Sequence, residues 1–346
     1  MSRLARLGAG LSDPLLVTHG INVRYLTGFE SSNCALIVEP GGATTLYSDF
    51  RYAEAARAVA DVEFVQTRRD VASALAELLA GRTVGFEAER ASFAQWETIG
   101  AGGAELVPTR GAVEALRAVK DEGELEAIRK ACSISDSVYA ALASESIVGK
   151  TEAYVAWWLE RTFREYGAEA TAFGTIVASG LNGARPHAGA GATVIEVGKL
   201  VTVDMGCAFA GYLSDCTRTF ATGPLSTELS EIYDLVAQAQ LDGLAAVRAG
   251  ALGHEVDATS RTGIGEAGYG EAYGHGLGHG VGLEIHEAPT LRADSTDVLA
   301  PANVVSVEPG IYVPGTGGCR IEDLVVVTED GCEILTSFTK DLLTVG

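Results

Sequence analysis

A chain of 346 residues is long enough for two domains with cores of their own. Its 46 acidic residues outnumber 25 basic ones, and the net charge of −21 argues against nucleic acid or an anionic membrane surface as a partner. No apolar run reaches the length of a membrane span, the opening MSRLARLGAGLSDPLL lacks a signal-peptide core, and the six scattered cysteines contain no C-x-x-C, which together predict a cytoplasmic protein with reduced thiols.

In chain order, PLLVT, CALIVEP, TTLYSD and VEFVQ read as short strands between turn residues. RYAEAARAVA and DVASALAELLAGR read as amphipathic helices, the second closed by Gly81. Such alternation predicts a compact α/β domain. The character changes near Lys120. In KDEGELEAIRKACSISDSVYAALASE, Asp121 and Glu124 have capping-box spacing, and Leu125, Ile128, Cys132, Val138 and Leu142 form one apolar stripe. Two further helices are expected, from Thr151 to a stop at Gly167 and from Thr227 to a stop at Gly250, with strands dominating from there to the end. The boundary falls between positions 110 and 122, predicting domains 1–116 and 117–346. The second reads as α+β, with helices covering an antiparallel sheet.

The segment GHGLGHGVGLEIHE, Gly274 to Glu287, holds three of the six histidines. Its glycines cost about 1 kcal/mol each in a helix, so the helical zinc motif H-E-x-x-H does not fit. They serve better where backbone must pass close to something or take a positive φ. In an extended chain His275 and His279 share a face.

Carboxylates with no evident partner accompany the histidines. In KLVTVDMGCAFAGYLSDCTRTF, Asp204 ends an apolar strand and Asp215 stands early in the return strand, so the two are expected to face each other across a hairpin. Facing carboxylates repel unless a proton or cation lies between them. The plainer alternative is a pair of turn aspartates. Near the C-terminus, Glu308 and Glu322 sit in strands too apolar for a free charge, VVSVE and RIEDLVVV. Arg320, two residues before Glu322, is expected on the same face to orient or partly neutralise it; the plainer alternative is an exposed Arg–Glu pair. Two aspartates, one histidine and two glutamates suit hard or borderline divalent metals. The absence of cysteine excludes a structural zinc knot. A metal pair of this kind acidifies a water and polarises a carbonyl, which is hydrolytic chemistry.

The ordered residues His187, Asp204, Asp215, His279, Glu308 and Glu322 resemble the pattern of the pita-bread dinuclear metallopeptidases of family M24. FGTIVASGLNGARPHA, VDMGCAFAGYLSDCTRTF, GHGLGHGVGLEIHEAP, VVSVEPGIYVP and GGCRIEDLVVV carry the resemblance, which is strongest to Xaa-Pro aminopeptidases and Xaa-Pro dipeptidases (prolidases). NVRYLTGFESSNCALIV and TTLYSDFRYAEAA resemble the smaller creatinase-like α/β domain found ahead of the catalytic one. The resemblance implies a centre of two divalent ions, Mn²⁺ first, with Co²⁺ or Zn²⁺ acceptable. Asp204, Asp215, His279, Glu308 and Glu322 would be the ligands, with Asp215 and Glu322 bridging. His187, His286 and Glu308 would be catalytic, Glu308 moving the proton, and His187, His275 and His286 would line the substrate site, with Arg320 in support. The implied partners are short proline-containing peptides and further copies of the chain in a dimer or tetramer.

Relatives with other functions fit less well. Methionine aminopeptidases usually lack the N-terminal domain, creatinase does not use the metals, and the non-catalytic binding modules of this fold have lost ligands that this chain keeps. Between the two proline peptidases, HEAPTLRA decides the expectation. Many prolidases carry an arginine directly after HE-x-P to read the dipeptide's carboxylate, and here that position is Thr290, with Arg292 two residues on. An Xaa-Pro aminopeptidase is therefore expected, with prolidase as the alternative.

Overall fold

The computed structural model describes residues 1–346. The chain divides into two compact units, Met1–Arg117 and Ala118–Gly346. No helix is long and apolar enough to cross a membrane.

The first unit is built on six strands: β1 Leu15–Val17, β2 Cys34–Val38, β3 Thr44–Ser48, β4 Glu63–Gln66, β5 Thr83–Glu87 and β6 Glu105–Thr109. They form one mixed sheet in the order β4-β3-β2-β1-β5-β6. Leu16, Ile37, Val71, Leu75, Val84 and Ile99 pack one of its cores. The helix expected to stop at Gly81 ends earlier, with Leu78 its last residue and Leu79 its cap, because the chain needs the positive φ of Gly81 (75°) only in the turn beyond.

In the second unit the helix Glu122–Leu142 begins with both halves of the capping box, Glu124 N–H to Asp121 and Asp121 N–H to Glu124. The helices Glu152–Glu165 and Thr227–Ala246 follow as expected. One helix was not foreseen: Gly253–Glu266 lies in the stretch where strands were expected to dominate. Its three glycines hide it from propensity rules. Tertiary packing overrides propensity there: a Cβ on Gly253 would sit 2.2 Å from the Thr290 carbonyl, so only glycine lets the helix lie so close. An Asp257–Arg261 pair at i,i+4 closes its middle turn.

The strands of this unit are β7 Ala170–Thr171, β8 Ile176–Ser179, β9 Leu200–Met205, β10 Cys207–Phe209, β11 Tyr212–Leu213, β12 Cys216–Ala221, β13 Gly278–Gly280, β14 Glu287–Leu291, β15 Val304–Val307, β16 Gly310–Val313, β17 Gly317–Arg320, β18 Asp323–Val327 and β19 Cys332–Ile334. Antiparallel sheets β12-β9-β8, β14-β13-β15-β18-β19 and β16-β17 bring together the segments expected to bear the site. Val201, Val203 and Met205 of β9 point into a core with Ile134, Val138 and Phe163. The buried Tyr139 hydroxyl lies 2.9 Å from the Val203 carbonyl and 2.8 Å from that of Cys216, fixing the long helix to β9 and the head of β12.

Candidate metal centre

Since Val201, Val203 and Met205 face the core, Asp204 faces the other way. Its neighbours across the sheet are Ile176 of β8 and Thr217 of β12. The expected face-to-face pairing of Asp204 with Asp215 is therefore corrected. A tight β10–β11 hairpin turning on Ala210 and Gly211 (φ 48° and 77°) intervenes, and Asp215 enters just before β12 begins. The two carboxylates still converge. Oxygens of Asp204, Asp215 and Glu322 all lie within 4.8 Å of one another, on side chains that are nearly or fully buried.

His279 completes the cluster from β13, with Nε2 3.1 Å from Glu308 Oε1 and 3.7 Å from Asp215 Oδ2. Its Nδ1 lies 3.1 Å from the Gly280 carbonyl, which can only accept, so Nδ1 carries the hydrogen. A neutral ring then turns its Nε2 lone pair toward two carboxylates, an arrangement that calls for a proton or a cation in between. The glycines around it serve close approach and not positive φ. A Cβ on Gly278 would lie 1.9 Å from the Ser306 carbonyl, and one on Gly280 would lie 2.3 Å from that of Ala288.

The electrostatics agree. Burial, then the charges of Glu322, Asp204 and Glu308, push the Asp215 carboxyl well above the usual carboxylate range. Burial also pushes Glu308 up, but His279, His275 and Arg320 outweigh it and hold the group down at about 2. Asp204 Oδ1 and Glu322 Oε1 are buried with no hydrogen-bond partner. Orphaned carboxylate oxygens of this kind are costly, and a divalent cation is the group that satisfies several at once. The donor set thus fits metal.

Arg320 acts on Glu322 through its charge, as expected, but not from the same strand face. β17 ends at Arg320 and β18 begins at Asp323, so Arg320 and Glu322 do not share a strand face. Its Nη2 instead donates to Asp204 Oδ2 at 2.6 Å, and its Nε donates at 3.1 Å to Thr217 Oγ1, which in turn donates to Glu322 Oε2 at 2.7 Å. Its Nη1 donates at 2.7 Å to the Tyr312 hydroxyl, which donates on to His275 Nε2 at 3.0 Å. Asp323 points away from the cluster and pairs with Arg218 and Lys340.

His187, Asp204, Asp215, His275, His279, His286, Glu308 and Arg320 line one cavity of about 610 Å³. Glu322 lies behind its wall. The loop bearing His187 is pinned by the buried Glu152, which accepts from Ser179 N at 2.7 Å, Asn182 Nδ2 at 2.8 Å and Gly191 N at 3.3 Å. His286 packs its ring edge-on to His279, with centroids 4.3 Å apart; burial and that neighbour push it below the usual histidine range. Thr290 and Arg292 also line the cavity. Sequence reasoning missed Thr217, Tyr312, Asp257 and Arg261. Arg261 donates to the Tyr273 and His275 carbonyls, and Asp257 accepts from Leu277 N. The D-x-x-x-R spacing was their only local signal.

Comparison with known proteins agrees with this geometry. Residues 126–329 match the model for metallopeptidase family M24, and residues 4–119 match the creatinase/prolidase N-terminal domain. An Xaa-Pro dipeptidase from Bacillus anthracis superposes with a TM-score of 0.95 at 38% identity, covering 99% of both chains. An X-Pro aminopeptidase from Thermotoga maritima gives 0.87 at 35%, covering 96% of this chain and 97% of its own. An Xaa-Pro dipeptidase of Pyrococcus furiosus is 36% identical over 337 residues, 96% of this chain and 95% of the relative. With its carboxylates and histidine gathered as a metal site requires, and an N-terminal unit of the matching kind ahead of them, the chain belongs to metallopeptidase family M24.

Proposed function

We propose that this metallopeptidase hydrolyses the bond before proline, and that its preferred substrates are Xaa-Pro dipeptides. The observation that carries the second part is Arg292. The sequence favoured an aminopeptidase because Thr290 stands where a carboxylate-reading arginine was sought. In the fold, Thr290 spends its hydroxyl within the protein, donating to Asp297 Oδ2 at 2.9 Å and lying 3.0 Å from Ser295 Oγ. Arg292 lines the same cavity as His187, His275 and His286. It pairs with Asp294 at 2.9 Å, and both side chains are exposed. Such a pair contributes about 0–1 kcal/mol, so a substrate carboxylate can displace it at small cost. A guanidinium binds a carboxylate through two parallel hydrogen bonds. The dipeptidase relatives from Bacillus and Pyrococcus support the same reading.

Asp204, Asp215, His279, Glu308 and Glu322 would hold two divalent cations, Mn²⁺ best matching this oxygen-rich set, and these supply when bound an acidified water and a polarised carbonyl. The chain's own residues do the rest. The substrate's amino group approaches the acidic end of the cavity. His286, with His187 beside it, donates a hydrogen bond to the carbonyl oxygen as negative charge develops there. Glu308 takes a proton from the attacking water and delivers it to the proline nitrogen, which cannot leave as an amide anion. Arg292 holds the proline carboxylate. Proline offers no N–H and a fixed φ, so recognition rests on its two ends and its ring.

Steady-state kinetics on a matched Xaa-Pro dipeptide and Xaa-Pro-Yaa tripeptide test the reading. The dipeptide should win in kcat/KM by about a hundredfold, the ~2.7 kcal/mol of a good carboxylate clamp, and Arg292→Ala should erase most of that margin. A tripeptide cleaved as well as the dipeptide by the native enzyme would establish an aminopeptidase instead.

A further inference from the structure

We infer that Lys120 and Glu287 form a buried positioning pair that sets the orientation of His286, and thereby the rate of bond cleavage. This rests on the role given to His286 above. Strands β13 and β14 slip register between His279 and Gly280, so Gly280 pairs with Glu287 and the chain between them closes into a tight loop. That loop carries Ile285 and His286 into the cavity. Glu287 turns its carboxylate back across the loop. One oxygen accepts from Glu284 N at 2.9 Å, and the other lies 3.4 Å from Lys120 Nζ. The Lys120 and Glu287 side chains are 1% and 6% exposed. A Cβ on Gly282 would lie 2.7 Å from the Glu287 carboxylate, so residue 282 is glycine to let that carboxylate sit inside the loop. Lys120 is itself fixed, its N–H donating to the Ala302 carbonyl at 3.0 Å, just ahead of β15, which leads into Glu308.

Neither Lys120 nor Glu287 lines the cavity, so neither acts by touching substrate. Nor does stability alone explain them. Replacing a buried ion pair by apolar groups is often neutral or stabilising, so such a pair is weak evidence of a purely structural purpose. What it does fix is the path of a short loop that ends on His286, packed 4.3 Å from His279, where small displacements weigh heavily on rate.

The test uses the Mn²⁺-loaded full-length enzyme and whichever of the matched dipeptide and tripeptide it cleaves better. Lys120→Met and Glu287→Gln should each lower kcat between about tenfold and a hundredfold, the range for misplacing a reacting group. KM and bound metal should stay unchanged, and Lys120→Arg should recover most of the rate. His286→Ala should be at least as slow, and adding Lys120→Met to it should slow the enzyme no further, because residues acting through one group are not additive. If Lys120→Met does not fold, Glu287→Gln with His286→Ala completes the same cycle. Multiplying losses in the double variant, or a rate loss that merely tracks metal content or folded fraction, overturns the inference and leaves the proposed function standing. A fully active His286→Ala overturns the inference together with the role assigned to His286.

Discussion

Glu87 in the first unit and the carboxylate cluster of the candidate metal centre in the second are buried in opposite ways. In the first, Glu87 is almost fully enclosed, yet its oxygens accept from Thr18 N at 2.7 Å, His19 N at 2.8 Å and Asn22 Nδ2 at 2.6 Å. In the second, Asp204 and Glu322 each leave a buried oxygen with nothing to accept from. Burial pushes both Glu87 and Asp215 upward from the ordinary carboxylate range. For Glu87 the next influences, Asn22, His19 and Thr18, oppose the push; for Asp215 they are Glu322, Asp204 and Glu308, which reinforce it. A buried charge with its donors in place is part of the scaffold. A group of buried charges that raise one another is unfinished without a cation.

Three experiments can break or sharpen that contrast. The largest effect belongs to Asp215→Ala, which should remove turnover by about a thousandfold or more and strip bound metal, measured by kinetics and elemental analysis. With chelator present, Asp215→Asn should melt no lower than the native protein, because it removes one of several mutually repelling charges. A lower melting temperature for that variant would mean that the cluster is satisfied without metal, as Glu87 is. Next, His279→Ala should lower metal occupancy, whereas His275→Ala, which loses the link to Tyr312, should cost about ten- to a hundredfold in turnover with occupancy largely kept. Equal metal loss would make His275 a ligand too. The smallest effect on catalysis should come from Glu87→Ala. It strands donors on Thr18, His19 and Asn22 and should destabilise the first unit by about 2–3 kcal/mol in urea unfolding, leaving kcat of the folded enzyme unchanged.

The clustering of the candidate ligands was legible in the sequence because a carboxylate in an apolar strand is expensive, and four of them in one domain need a common explanation. The capping box at Asp121 and Glu124 was legible because it is a local device. What could not be read was how segments meet. Arg320 and Glu322 look like neighbours on one strand, but the chain passes from β17 to β18 between them, and the guanidinium goes to Asp204, 116 positions away. Asp204 meets Thr217 because a hairpin of its own interrupts the connection. The helix Gly253–Glu266 was invisible because it carries three glycines, of which Gly253 answers to the neighbouring Thr290 carbonyl and not to helix propensity. Arg292 was set aside for its position in a motif, whereas in the fold it lines the same cavity as the histidines.

The three carboxylates that crowd together lie at positions 204, 215 and 322, so the cluster closes over 322 − 204 = 118 residues of chain. Contacts of that separation form late, after the entropy of closing long loops has been overcome. During synthesis, Glu322 emerges after all the other candidate ligands, and a chain still short of it holds an incomplete cluster. With Glu322 in the role proposed for it, hydrolytic capacity would be withheld from the nascent and half-folded forms, whose own unstructured segments would be the nearest peptides to hand.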